Sequence, residues 1–181
     1  MRVVPGITAA AGIAAELGLP LTHRGLATSV RFITGHAREG GEGALGESLG
    51  AAAADPATTL VVYMGLSTLG ALGAELAARG LPPTTPAVAI ERGTTPRQRC
   101  VYAPLAQLAA RVADAGLQSP TLIVIGQVVS VAPGWRRARE SGRPLQDMGA
   151  AWGTQAAEAG AQGMPAGQGG ALAGMAAKAA K

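Results

Sequence analysis

Aromatic residues are nearly absent from this 181-residue chain. One Phe, two Tyr and two Trp make up 3% of it, although 48% of the residues are hydrophobic. Its core must therefore be built from Ala, Val, Leu and Ile. Cys100 is the single cysteine, which excludes a disulfide framework. Two histidines, His23 and His36, have no cysteine partner, so no metal site is expected. No apolar run reaches the roughly eighteen residues that a membrane-crossing helix needs, and no membrane partner is expected. The N-terminus shows no apolar signal segment with a cleavage site, so a cytoplasmic location is expected. Lysine is confined to Lys178 and Lys181, a usage that fits GC-rich coding.

Charge is unevenly spread. The formal net charge is +4. Residues 136–181 hold six Lys/Arg and three acids, leaving +3, whereas residues 1–135 hold nine Arg and eight acids, leaving +1. A nearly neutral body lacks the many phosphate contacts on which nucleic-acid affinity rests, so no nucleic-acid partner is expected.

What is present is a small-residue chain with 27 glycines and a strand–helix alternation. Val3-Val4-Pro5-Gly6 reads as a strand end running into a tight turn. Residues 8–17 read as a helix with Thr8 as N-cap and Gly18 as its stop. Strands are expected at 29–34, 59–64, 86–91 and 98–102, with a last buried strand over 121–131. Helices are expected at 67–79, capped by Ser67, and at 105–115, with a short one near 44–53. These pieces predict an α/β domain: a mixed, mostly parallel sheet flanked by helices. Residues 136–181 show no convincing periodicity and read as an Ala/Gly-rich, disordered tail.

Several turns carry candidate chemistry. Pro5-Gly6 before a helix start leaves backbone N–H groups free for a ligand, with the Thr8 hydroxyl beside them; the same residues also suit an ordinary capped turn. Thr22-His23-Arg24-Gly25 places an Arg, suited to bidentate carboxylate binding, in a turn that also reads as a solvated loop. Met64 ends a strand before Gly65, where it can fill the core or touch a flat apolar ligand. Glu91-Arg92-Gly93-Thr94-Thr95 follows a strand, with a glycine where backbone can approach a ligand. Residues 41–46, GEGALG, match G-x-G-x-x-G but follow no strand, which argues against a dinucleotide site.

Taken in order, VVPGITAAAG, GLPLTHRG, SVRFITGH, LVVYMG, PAVAIERGTTPRQR and SPTLIVIGQVV resemble the uroporphyrinogen-III C-methyltransferases, a group of tetrapyrrole methylases. The resemblance covers about residues 3–135. It implies two α/β domains with S-adenosyl-L-methionine, the methyl donor, bound between them. It further implies that Thr8 and Ala9 form a Thr-Ala pair contacting the cofactor. Met64 would line the pocket, Ala89 and Gly93 would make the backbone cofactor contacts of an Ala-x-Glu-x-Gly-Thr segment, and Thr121 would approach the adenosine. Arg24, with His23 beside it, would hold a carboxylate of uroporphyrinogen III.

The family's G-x-G-P-G-D, Gly-Gly-Asp and Arg-Gly-Gly-Glu-Glu segments do not occur in this sequence. Residues 1–22 are therefore expected to be a remnant of the N-terminal domain with the interdomain helix, 23–135 the C-terminal domain, and 136–181 the tail. A separate N-terminal domain and a second copy of the chain are the partners this implies, and residues 3–21 are expected to form an exposed apolar edge. Another precorrin methyltransferase, or a non-catalytic fragment that binds a partner or an anionic tetrapyrrole, are the competing readings.

Overall fold

The computed structural model describes residues 1–35 and 54–141. They fall in the first of two compact units, residues 1–150; the second, residues 151–181, lies outside them. The GEGALG segment, the helix expected near 44–53, His36 and the tail beyond residue 141 also lie outside the described residues.

Helix α1 spans Ala9–Glu16, capped by the Thr8 hydroxyl, which accepts from the Ala11 amide at 3.2 Å. It ends in a left-handed turn at Gly18 (φ 59), with Gly18 N bonded to Ala15 O and Leu19 N to Ala14 O. That pattern satisfies the last free carbonyls of the helix. Then come β1 (Ser29–Thr34), β2 (Thr58–Tyr63), α2 (Leu69–Ala78), β3 (Pro86–Glu91), β4 (Arg99–Pro104), α3 (Leu105–Asp114), β5 (Thr121–Ile125), a 3-10 turn (Gln127–Val131) and α4 (Pro133–Ser141).

The strands form one mixed sheet in the order β1-β2-β5-β3-β4. The mixed α/β architecture is as expected, but the parallel majority is not. Among the described residues only β1–β2 is parallel; β2–β5, β3–β5 and β3–β4 are antiparallel. Continuous apolar runs report burial on both faces, which says nothing about strand direction.

Alternate residues feed two apolar layers. Leu60, Val62, Ala87, Ala89, Ile123 and Ile125 pack with the leucines of α2 and α3, and Val61, Val88, Ile90, Leu122 and Val124 pack with α1, the 3-10 turn and Trp135 of α4. Leu72, Leu76 and Leu108 have no exposed surface, and burying each contributes about 1.5–3 kcal/mol.

Four further expectations are corrected. Residues 1–8 form no strand, and Val3, Val4 and Ile7 are exposed, whereas Ala10, Ile13, Ala14 and Leu19 are buried, so the apolar edge stops at the helix. Thr68, not Ser67, stands at the start of α2, and its hydroxyl donates to Gly35 O at 2.7 Å instead of capping. The final strand ends at Ile125 because Gly126 (φ 150) turns the chain into the 3-10 segment. Residues 136–141 continue helix α4, anchored where Gly134 meets the Tyr102 ring so closely that a Cβ would collide with it.

Candidate functional site

The antiparallel insertion of β5 between β2 and β3 brings three strand ends together at one end of the sheet. Tyr63 ends β2, Glu91 ends β3, and Thr121, which pairs with Glu91, begins β5. Between them opens a cavity of about 680 Å³, a size typical of small-molecule sites. Helix α1 closes one side through Ala9 and Ile13, and Met64, Ile90, Gly93 and Leu122 line others.

The rim is conformationally unusual. Among the described residues the non-glycine positions with left-handed backbone are Met64 (φ 53), Arg92 (φ 47) and Thr94 (φ 62). Met64 and Arg92 line the cavity, and Thr94 sits between two lining residues, Gly93 and Thr95. Such strain costs about 1–3 kcal/mol per residue and gathers at ligand-binding sites. Close packing holds it in place. A Cβ on Gly93 would collide with Ile13, and one on Gly35 would collide with Gly65. The Tyr63 hydroxyl accepts from the Ala10 amide at 3.2 Å, tying β2 to the first turn of α1.

Beneath the rim, Glu91 is buried at 1% exposure and bonded to Arg99 through Nε (2.9 Å) and through Nη2. Arg99 also donates to Ala115 O and Gly116 O at the end of α3, at 3.0 and 2.9 Å. One arginine thus locks the end of β3 to the end of a helix, where its charge is favourable. Arg92 N donates to Pro120 O at 2.9 Å, and the Gln98 side chain accepts from Thr94 N at 2.7 Å. The Thr121 hydroxyl donates to Gln118 O at 2.6 Å, which leaves its oxygen able to accept.

Of the residues singled out by sequence, Ala9, Met64, Gly93 and Thr121 meet at this cavity. Thr8 caps the helix that supplies Ala9. Ala89 does not reach the cavity: it is fully buried between Val101 and Ile123, and the neighbouring Ile90 lines the wall instead. Alternation along β3 sends the Ala89 side chain to the other face of the sheet and leaves only its backbone between the two layers. His23 and Arg24 stand apart in an exposed turn closed by paired bonds between His23 and Ala27, both at 3.0 Å. His23 Nδ1 donates to Arg24 O at 2.9 Å. Sequence reasoning left Ile13, Tyr63, Ile90 and Arg92 off the site. Their signal was adjacency: each neighbours or shares an element with a residue that was named. Among the described residues no helix is long and apolar enough to cross a membrane.

Comparison with known proteins identifies a family. The model of the tetrapyrrole (corrin/porphyrin) methylases matches residues 1–109. A chloroplastic S-adenosyl-L-methionine-dependent uroporphyrinogen III methyltransferase of Arabidopsis thaliana is 62% identical over 135 residues, 75% of this chain and 36% of that protein. A siroheme synthase of Halorhodospira halophila is 49% identical over 79% of this chain and 28% of its own length. The uroporphyrin-III C-methyltransferase of Thermus thermophilus, solved with S-adenosylhomocysteine, aligns with a TM-score of 0.56 at 37% identity, over 72% of this chain and 54% of that one. The chain therefore spans about half of that solved structure and about a third of the two curated relatives.

Proposed function

This chain belongs to the tetrapyrrole (corrin/porphyrin) methylases, and we propose that it supplies one wall of an S-adenosylmethionine-dependent uroporphyrinogen-III C-methyltransferase site. The observation that carries this reading is the strand-end cavity of about 680 Å³ rimmed by left-handed Met64, Arg92 and Thr94. Its apolar walls suit the flat base of a nucleoside, and the backbone at the strand ends suits its polar edges, so the residues present fit the cofactor. When bound, S-adenosylmethionine supplies an electrophilic methyl group on its sulfonium.

The chain's own residues then position and desolvate. Ala9, Met64, Gly93 and Thr121 are the proposed cofactor contacts. Thr8 acts through the helix it caps, and Ala89, whose side chain is buried in β3, takes part only through its backbone. Ile13, Ile90 and Leu122 exclude water, which strengthens each polar contact and holds the reacting carbon close to the methyl group. Arg24 and His23 are the proposed holders of a carboxylate of uroporphyrinogen III, which carries eight acetate and propionate groups. The part of the relatives outside the matched stretch supplies the facing wall, in one polypeptide or as a separate domain. A homodimer and a cytoplasmic location complete the proposal. A molecular mass in solution matching one copy would remove the dimer from it.

Titration calorimetry of residues 1–181 with S-adenosylhomocysteine tests the reading. Saturable micromolar binding is expected, and weaker binding on Met64→Ala. No heat at millimolar ligand would overturn the claim that this wall is preformed.

A further inference from the structure

Among the described residues, Arg92 is the one charged residue that lines the apolar cavity. We propose that Arg92 is a carboxylate receptor whose guanidinium holds an acidic group of the ligand, an inference that rests on the functional reading above.

Three observations carry it. The first is surplus charge. Glu91, the one carboxylate beside Arg92, is already engaged twice by Arg99, and Arg92 Nη1 lies 3.4 Å from its other oxygen, at the outer limit of a hydrogen bond. Two guanidinium groups share one buried carboxylate, and the Arg92 side chain is one-third exposed.

The second is conformational. Arg92 holds φ 47, a backbone state that Gly or Asn adopts with less strain. Its backbone is fixed on both sides, the N–H donating to Pro120 O at 2.9 Å and the carbonyl accepting from the Thr95 hydroxyl at 2.7 Å. The scaffold thus keeps an arginine at a position whose backbone geometry does not favour one.

The third is an excess of donors. Arg92 also lines a polar cavity of about 590 Å³ together with Arg97, Gln98, Arg99 and a single acid, Glu91. Arg97 makes no ion pair among the described residues, and Gln98 Nε2 is buried without an acceptor. A planar guanidinium binds a carboxylate through two parallel N–H···O bonds, and a ligand carboxylate adds a second acceptor to a wall that has three guanidinium groups and one carboxylate.

Two ligands of the proposed reaction carry that group. S-adenosylmethionine has one carboxylate and uroporphyrinogen III has eight. The run of cationic side chains from Arg92 to Arg97 favours the polycarboxylate.

Calorimetry on residues 1–181 separates the sources with three probes: uroporphyrin III, S-adenosylhomocysteine and 5′-methylthioadenosine, which has the nucleoside but no carboxylate. Arg92→Asn removes the guanidinium and suits the left-handed backbone. The expected result is a loss of at least about tenfold in uroporphyrin III affinity, with 5′-methylthioadenosine unchanged and Arg92→Lys intermediate, because it keeps the charge without the fork. A loss confined to S-adenosylhomocysteine would also support the receptor and name the methyl donor as its ligand. Equal affinity of both carboxylate ligands for wild type and Arg92→Asn overturns the proposal while the functional reading stands. Loss of all three probes in both variants makes Arg92 a scaffold residue and overturns it too. Wild-type protein that binds none of the three overturns the functional reading, and this proposal with it.

Discussion

Three positions along the chain separate two physical regimes. Val61, inside β2, has no exposed surface, and Met64, just past its end, is 65% exposed. The sheet interior is built from extended residues whose side chains alternate between two apolar layers. The rim is built from left-handed Met64, Arg92 and Thr94, glycines pressed against neighbours, and a buried carboxylate held by arginine. The interior stabilises the fold, and that stability holds the rim in conformations it would not adopt unaided. If this division is correct, substitutions in the two regions should separate stability from ligand affinity.

The largest expected effect is in the interior. Leu72→Ala removes a fully buried side chain between α2 and the sheet and should cost about 2–5 kcal/mol in urea denaturation. Affinity for S-adenosylhomocysteine should be unchanged at temperatures where the variant remains folded. A parallel loss of affinity would break the division. At the boundary, Gly93→Ala drives a methyl group into Ile13 and should cost about 1–3 kcal/mol. Because the clash is with one side chain, Ile13→Ala should offset it, and the double variant should lose less than the two single losses added together. Simple additivity would mean that the loop moves aside instead.

The rim predicts the opposite sign. A left-handed non-glycine residue costs roughly 1–2 kcal/mol, and glycine gives back part of that in chain entropy. Met64→Gly should therefore raise stability by up to about 1 kcal/mol while weakening S-adenosylhomocysteine binding. A variant that gains stability and binds as before would remove Met64 from the site.

The same division governs what the sequence made legible. The bounds of β1 and β3 agree with expectation, and α1 was readable from Thr8 and Gly18, because periodicity and caps are local signals. Pairing direction was not readable, since buried runs look alike in parallel and antiparallel sheets. TLIVIGQVVSV gave no sign that only its first five residues are strand, because apolar residues continue past Gly126 into the 3-10 turn. Met64, Gly93 and Thr121, which line the cavity, stand out through the family pattern rather than through any period. The Ala89 side chain faces away from the cavity and that of Ile90 lines it, because in a strand one residue is the difference between one face and the other. Arg92 was not legible because a left-handed arginine leaves no mark in the sequence, where the adjacent Gly93 is the residue expected to take that conformation.

The smallest effect concerns a group beneath the site. Cys100 is fully buried in β4, and burial, with the nearby Glu16 carboxylate adding to it, pushes its thiol from an ordinary 9.0 up to about 12. Tyr102, two residues on, is raised as well, chiefly by burial. Above about pH 9 the unfolded chain releases the thiol proton and the folded chain keeps it, so the unfolded state binds fewer protons and stability falls as pH rises. At pH 9.5 the loss from Cys100 amounts to less than about 1 kcal/mol, and it grows until the folded thiol itself ionises near pH 12. Thermal unfolding at pH 7.5 and 9.5 should show a smaller alkaline drop for Cys100→Ala than for wild type. Thiol reagents should label Cys100 only after unfolding, since an un-ionised buried thiol is inert. Rapid labelling of the folded chain at pH 8 would mean that the layer joining the interior to the rim opens, and the separation of the two regions would fail at that point.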